Sequence, residues 1–155
     1  MAEKQSNKKT NWLIVAITVA AAVLGGLFSM NSSEFYDTLV RPPLAPPSIV
    51  FPIVWGILYV LMAIAMILYF REKPDDSKTF WLYALNLVLN AMWPLFFFAL
   101  RQVDVALVIL LAMIFVNLFV MGRLKDVTWA FYLYLPYLVW QLFALYLNFA
   151  ITLLN

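Results

Sequence analysis

The chain has 155 residues, 66% of them hydrophobic and 12% charged, with a net charge of +2 and a mean hydropathy of +0.92. A soluble domain of this size cannot cover so much apolar surface, so the composition specifies an integral membrane protein. Cys and His are both absent, which excludes disulfides, zinc sites, thiol nucleophiles and histidine bases or haem ligands, and the small net charge gives no footing for nucleic acid.

Charges divide the sequence into five uncharged runs, over 10–33, 42–70, 79–100, 105–122 and 127–155. Each has at least 18 residues, close to the ~20 that cross a hydrocarbon core. The expected architecture is an all-α membrane protein, a single domain over 1–155. It is a five-transmembrane-helix bundle with spans near 11–30, 49–70, 79–100, 104–122 and 128–153.

The first run follows a Lys-rich start but is long for the apolar region of a secretory signal, and is read as a retained helix. Within it Ala21, Gly25 and Ser29 recur at four-residue spacing beside Ala22 and Gly26. Such small residues let two helix backbones approach closely, either inside the bundle or across a homodimer face. Next comes RPPLAPPSIVFPIVW, residues 41–55, in which five of fifteen residues are proline. Proline fixes φ and cannot donate a backbone hydrogen bond, so Pro42-Pro43 and Pro46-Pro47 make a stiff, non-helical strap. The strap leads into a helix with Trp55, Tyr59, Met62 and Met66 on one face, as the lid of an intramembrane pocket would.

The third span carries Asn86, Asn90, Trp93 and Phe97 on one stripe, the fourth a single amide, Asn117. The fifth has Tyr137, Trp140, Gln141, Ala144 and Asn148 on one broad face. An amide in hydrocarbon is costly without a partner, so these stripes face the bundle interior. Two readings stay open: amides that glue helices together, or amides and aromatic walls that line a site for a large flat apolar ligand. Trp12, Trp81, Trp129 and Tyr132 lie near span ends, as interfacial anchors do. Basic residues are distributed unevenly. Lys4, Lys8, Lys9, Arg71, Lys73, Lys78, Arg123 and Lys125 fall on one side, and only Arg41 and Arg101 on the other. The positive-inside rule places the N-terminus in the cytoplasm, and the 31–48 loop and the C-terminus outside. With no evident presequence, the expected host is a bacterial cytoplasmic membrane.

No acid or base lies deep in a span, which argues against a proton-coupled pump or an ion channel. Nucleophile–base pairs, paired carboxylates and phosphate loops are also missing, so no catalytic residue, metal ligand or cofactor is expected.

In this order the motifs resemble the TspO/MBR family, the tryptophan-rich sensory proteins related to the mitochondrial translocator protein or peripheral benzodiazepine receptor. The loop pattern WY..L.KP.W.PP is matched by Phe35-Tyr36, Leu39, Arg41-Pro42 and Pro46-Pro47. The pattern F..VW..LY..MA is matched by Phe51, Val54-Trp55, Leu58-Tyr59 and Met62-Ala63. LN..W..LFF appears as Leu89-Asn90, Trp93 and Leu95-Phe96-Phe97; PY..W..FA..LN appears as Pro136-Tyr137, Trp140, Phe143-Ala144 and Leu147-Asn148. The resemblance implies a five-helix bundle, often a homodimer, that binds porphyrins such as protoporphyrin IX in a pocket closed by the first loop. It implies sterols or synthetic isoquinoline carboxamides and benzodiazepines in other members. By position it places Phe51, Trp55, Tyr59, Asn86, Asn90, Trp93, Phe97, Trp140 and Ala144 at the site, and Tyr36 and Pro42 in its lid. Light-dependent porphyrin breakdown in some bacterial relatives points to Trp55 and Trp140 as the photochemical pair. Three departures stand out: Phe35 and Leu44 replace loop tryptophans, and Ile109 stands where many relatives have an acid. No Lys or Arg follows Tyr146, so the proposed sterol pattern is not met. The reading is a receptor- or transporter-like binding protein, against two alternatives: a photo-oxidative enzyme and a structural or regulatory subunit.

Overall fold

The computed structural model describes the backbone of residues 2–30 and 32–155, and the side chains from residue 8 onward within those ranges. Lys4, counted in the charge asymmetry, and Asn31, at the start of the 31–48 loop, lie outside the residues whose side chains are described. Six α-helices follow in order: α1 (Ala2–Phe28), α2 (Ser32–Thr38), α3 (Val50–Glu72), α4 (Ser77–Pro94), α5 (Val103–Leu124) and α6 (Thr128–Leu154). A π-helical segment, Leu95–Ala99, continues α4. Among the described residues there is no strand. All the long helices, α1 and α3 to α6, are long and apolar enough to cross a membrane, so the chain is an all-α membrane protein.

The long helices close into a ring in the order α1–α3–α6–α5–α4, each packed against its two neighbours. Their outward faces expose large apolar side chains such as Ile57, Val60, Val108 and Phe115, a surface suited to lipid rather than water. The inward faces bury Met62, Met66, Tyr83, Tyr134 and Tyr137.

Three local features depart from the expected outline. The 31–48 segment is not all loop, because α2 forms ahead of the strap and buries Tyr36. The third span is not one uninterrupted α-helix: Pro94 has no N–H to return to the carbonyl of Asn90, so the helix loosens there. It continues as the π segment, with Leu100 N–H donating to Leu95 O at 2.9 Å. The turn then closes through Arg101, whose φ of 56° costs a non-glycine residue roughly 1–2 kcal/mol. α5 also runs past the expected end at residue 122, to Leu124, and Arg123 in its last turn is paired with Asp76 at 2.8 Å.

Candidate functional site

A cavity of about 290 Å³ lies between α1, α3 and α4, toward the strap end of the bundle. Phe51 and Trp55 from α3, Trp93 from α4 and Phe98 from the π segment provide aromatic walls. The volume comes from small residues of α1, Ala22, Gly25, Gly26 and Ser29, and from Gly56 of α3. The α1 small-residue stripe is divided: Ala21 and Gly25 are buried, whereas Gly26 is exposed. A Cβ on Gly25 would meet the Tyr59 hydroxyl at 3.4 Å and Pro94 Cγ at 3.7 Å, so α1 lies within van der Waals reach of both groups at this level.

Tyr59 and Asn90 also border the cavity. They begin a hydrogen-bonded chain that crosses the bundle. Tyr59 Oη donates to Asn90 Oδ1 at 2.7 Å, and Asn90 Nδ2 donates to Tyr137 Oη at 2.8 Å. Tyr137 Oη donates to Asn86 Oδ1 at 2.7 Å, and Asn86 Nδ2 to the Met113 carbonyl at 3.1 Å. The chain links α3, α4, α6 and α5, and every polar atom in it gains the partner that hydrocarbon cannot offer. Beside it, Asn117 Nδ2 donates to Gln141 Oε1, while Asn117 Oδ1, Gln141 Nε2 and the Tyr134 hydroxyl are buried without protein partners.

Of the residues expected at the site, Phe51, Trp55, Tyr59, Asn90 and Trp93 therefore meet at one cavity. Asn86 does not border it: it is wholly buried behind the Tyr137 hydroxyl, where it joins helices. Phe97 is buried against Trp93, rings stacked at 5.0 Å, and Ala144 packs in the same buried cluster. Trp140 is also absent from the lining; Phe51 stands beside it, ring centroids 6.1 Å apart. Its indole N–H has no partner.

Tyr36 and Pro42 are both buried in the cover of the strap end. The Tyr36 hydroxyl donates to the Pro46 carbonyl at 3.2 Å, and its ring meets Phe51 edge-on at 5.3 Å. Burial raises the pKa of Tyr36, with Arg41 pulling the other way, so the hydroxyl stays a neutral donor. The Arg41 guanidinium lies over that ring at 5.1 Å, and that of Arg101 over Phe35 at 5.4 Å. Val40 is tied to Asn155 by a reciprocal pair: its N–H donates to Oδ1 at 2.9 Å and its carbonyl accepts from Nδ2 at 3.1 Å. Leu44, one of the departures from the loop pattern, is 67% exposed and does not border the cavity.

At the opposite end the turn between α3 and α4 carries a cluster that sequence reasoning did not single out. Asp76 caps α4, accepting from the Thr79 backbone N–H at 3.2 Å. It also accepts from the Thr79 hydroxyl and the Tyr69 hydroxyl, both at 2.6 Å, and from Arg123 Nη2 at 2.8 Å. The readable signal was Asp76-x-x-Thr79 opening an apolar run, the pattern of a helix N-cap. Ser32, Gly56, Pro94 and Phe98 also line the cavity without being marked by any motif.

Comparison with known proteins gives the family. The TspO/MBR family model matches residues 14–154. "Tryptophan-rich protein TspO" of Chlorobaculum tepidum is 36% identical over 148 residues, 92% of this chain and 94% of that protein. "Tryptophan-rich sensory protein" of Cereibacter sphaeroides is 34% identical over 137 residues, 88% of this chain and 85% of its own. The sheep "Translocator protein" is 34% identical over 129 residues, covering 75% and 72%.

Proposed function

The chain belongs to the TspO/MBR family, and on that premise we propose that it is a receptor- or transporter-like membrane protein. It binds porphyrins such as protoporphyrin IX, and related flat apolar molecules, in an intramembrane pocket covered by the 31–48 segment. One observation carries the reading: Phe51, Trp55 and Trp93 wall a cavity whose polar edge is the Tyr59–Asn90 pair. Flat aromatic faces with a few placed polar groups suit a conjugated macrocycle. A volume of about 290 Å³ is at the low end for ligand sites, so a macrocycle also occupies the mouth or lifts the cover.

Titrating the purified chain with protoporphyrin IX should quench tryptophan fluorescence along a saturating curve that ends near one ligand per chain. A linear response matching that of free tryptophan would sink the reading. Because Trp55 borders the cavity, light-dependent porphyrin degradation is the second reading; absorbance loss under light, absent in darkness, supports it.

The reading includes a bacterial cytoplasmic membrane with the N-terminus inside and the strap outside. Ser33 and Ser77 are both exposed, at opposite ends of the bundle. A cysteine replacing Ser33 should react with an impermeant maleimide from outside, and one replacing Ser77 should not; the reverse pattern overturns the orientation. It also includes a homodimer. Crosslinking in bilayers measures it.

A further inference from the structure

The cavity reaches the outer surface of the bundle between α1 and α3. Gly26 and Gly56 line it, one from each helix, and so does Pro52; all three are exposed. A Cβ built on either glycine meets nothing within 4 Å. The residues beside them, Val23, Leu27, Ile53 and Ile57, are more than half exposed on spans long and apolar enough to cross a membrane. The gap is therefore flanked by apolar side chains suited to hydrocarbon rather than water. The other approach, through the strap end, is fastened by Tyr36 to Pro46, by Val40 to Asn155 and by Arg41 over the Tyr36 ring.

From this the geometry points to a lateral portal between α1 and α3, framed by Gly26 and Gly56. Flat apolar molecules dissolved in the leaflet on the strap side enter the cavity through it without passing through water. This rests on the ligand reading above and adds the phase from which the ligand comes. Glycine matters at the frame because helix interiors disfavour it by about 0.5–1 kcal/mol relative to alanine, and neither position needs it for close packing. What the two glycines supply is a gap free of side chains. Gly25, one residue away, is the contrast, because a Cβ there would touch the Tyr59 hydroxyl and Pro94.

The full chain, reconstituted in phosphatidylcholine vesicles carrying protoporphyrin IX, is followed by stopped-flow tryptophan quenching. The Gly26→Leu, Gly56→Leu double variant should slow association and dissociation together, by about tenfold or more, while the equilibrium midpoint moves far less. Unchanged rates in that variant overturn the portal, as does faster entry in Asn155→Ala with no effect of the glycine changes. A second arm does not depend on the bulky variants folding or on the ligand. The chain has no cysteine, so a nitroxide on Gly56→Cys reports one place. Collisions with oxygen should be frequent and collisions with a water-soluble nickel chelate rare; the reverse puts the gap in water and overturns the portal. Absence of saturable quenching in the unmodified chain instead overturns the ligand reading, and the nitroxide arm still decides the portal.

Discussion

At the end of the bundle that holds Asp76, a single carboxylate gathers Tyr69, Thr79 and Arg123 and ties the α3–α4 turn to the last turn of α5. At the strap end, glycines replace side chains, proline loosens a helix and Arg101 holds a left-handed backbone conformation. Both ends share α3 and α4, yet one is built of contacts and the other of room. Good hydrogen bonds and close packing stabilise, whereas a cavity forgoes dispersion contacts and strained backbone adds cost. The Asp76 end therefore supplies rigidity, and the strap end holds the space a ligand would use. Substitutions that separate stability from binding test this division.

The largest expected effect is at Asp76. Asp76→Ala leaves the donors of Tyr69 and Thr79 without their acceptor and should lower unfolding free energy by about 2–4 kcal/mol. Ligand affinity should stay the same, measured by porphyrin titration below the melting temperature. Burial raises the pKa of this carboxyl, but hydrogen bonds from Thr79, Tyr69 and Arg123 outweigh it and hold the value far below 3.8. Because the folded value is depressed, the unfolded chain takes up the proton first as pH falls. The stabilisation is thus complete above about pH 4 and is lost as pH drops below it. Thermal unfolding scanned from pH 6 to pH 2.5 should show that loss in the unmodified chain and a shallower one in Asp76→Asn. Equal slopes would mean the cluster is not what fastens this end.

A smaller effect separates two amides that share a stripe. Asn90→Leu should weaken porphyrin binding by about 1–3 kcal/mol, through a polar group left unpaired at the cavity. Asn86→Leu should reduce stability and leave binding nearly unchanged. Equal losses of binding would place both amides at the cavity. Helical periodicity was enough to send Asn86, Asn90, Trp93 and Phe97 inward, and all four are buried. It could not say which of them meets empty space. Asn86 and Asn90 are one turn apart, about 6 Å along the axis. The Tyr137 hydroxyl lies between them, accepting from one and donating to the other. That level is fixed by the axial register of α6 against α4, which no pattern within a single helix encodes. The five spans were legible because each buries no charge. The cavity was only half legible, because its volume comes from absent side chains at Gly26 and Gly56 and from a π segment after Pro94.

The two tryptophans give the finest test, since the sequence placed both at one cavity and only Trp55 borders it. Trp55→Phe keeps an aromatic face but shortens it, and should weaken binding by roughly 1 kcal/mol. Trp140→Phe should change affinity less, because Phe51 stands beside that indole at 6.1 Å and its N–H has no hydrogen bond to lose. If porphyrin is lost under light by oxidation of a neighbouring indole, Trp55→Phe should slow that loss more than Trp140→Phe does, because electron transfer weakens with distance. Equal slowing would mean that Phe51 moves aside when ligand enters, joining the Trp140 side of the bundle to the cavity. Unchanged photochemistry in the Trp55→Phe, Trp140→Phe double variant, with ligand still bound, rules out the photo-oxidative role. The aromatic walls then serve binding alone, and the strap end is a site where a ligand rests rather than reacts.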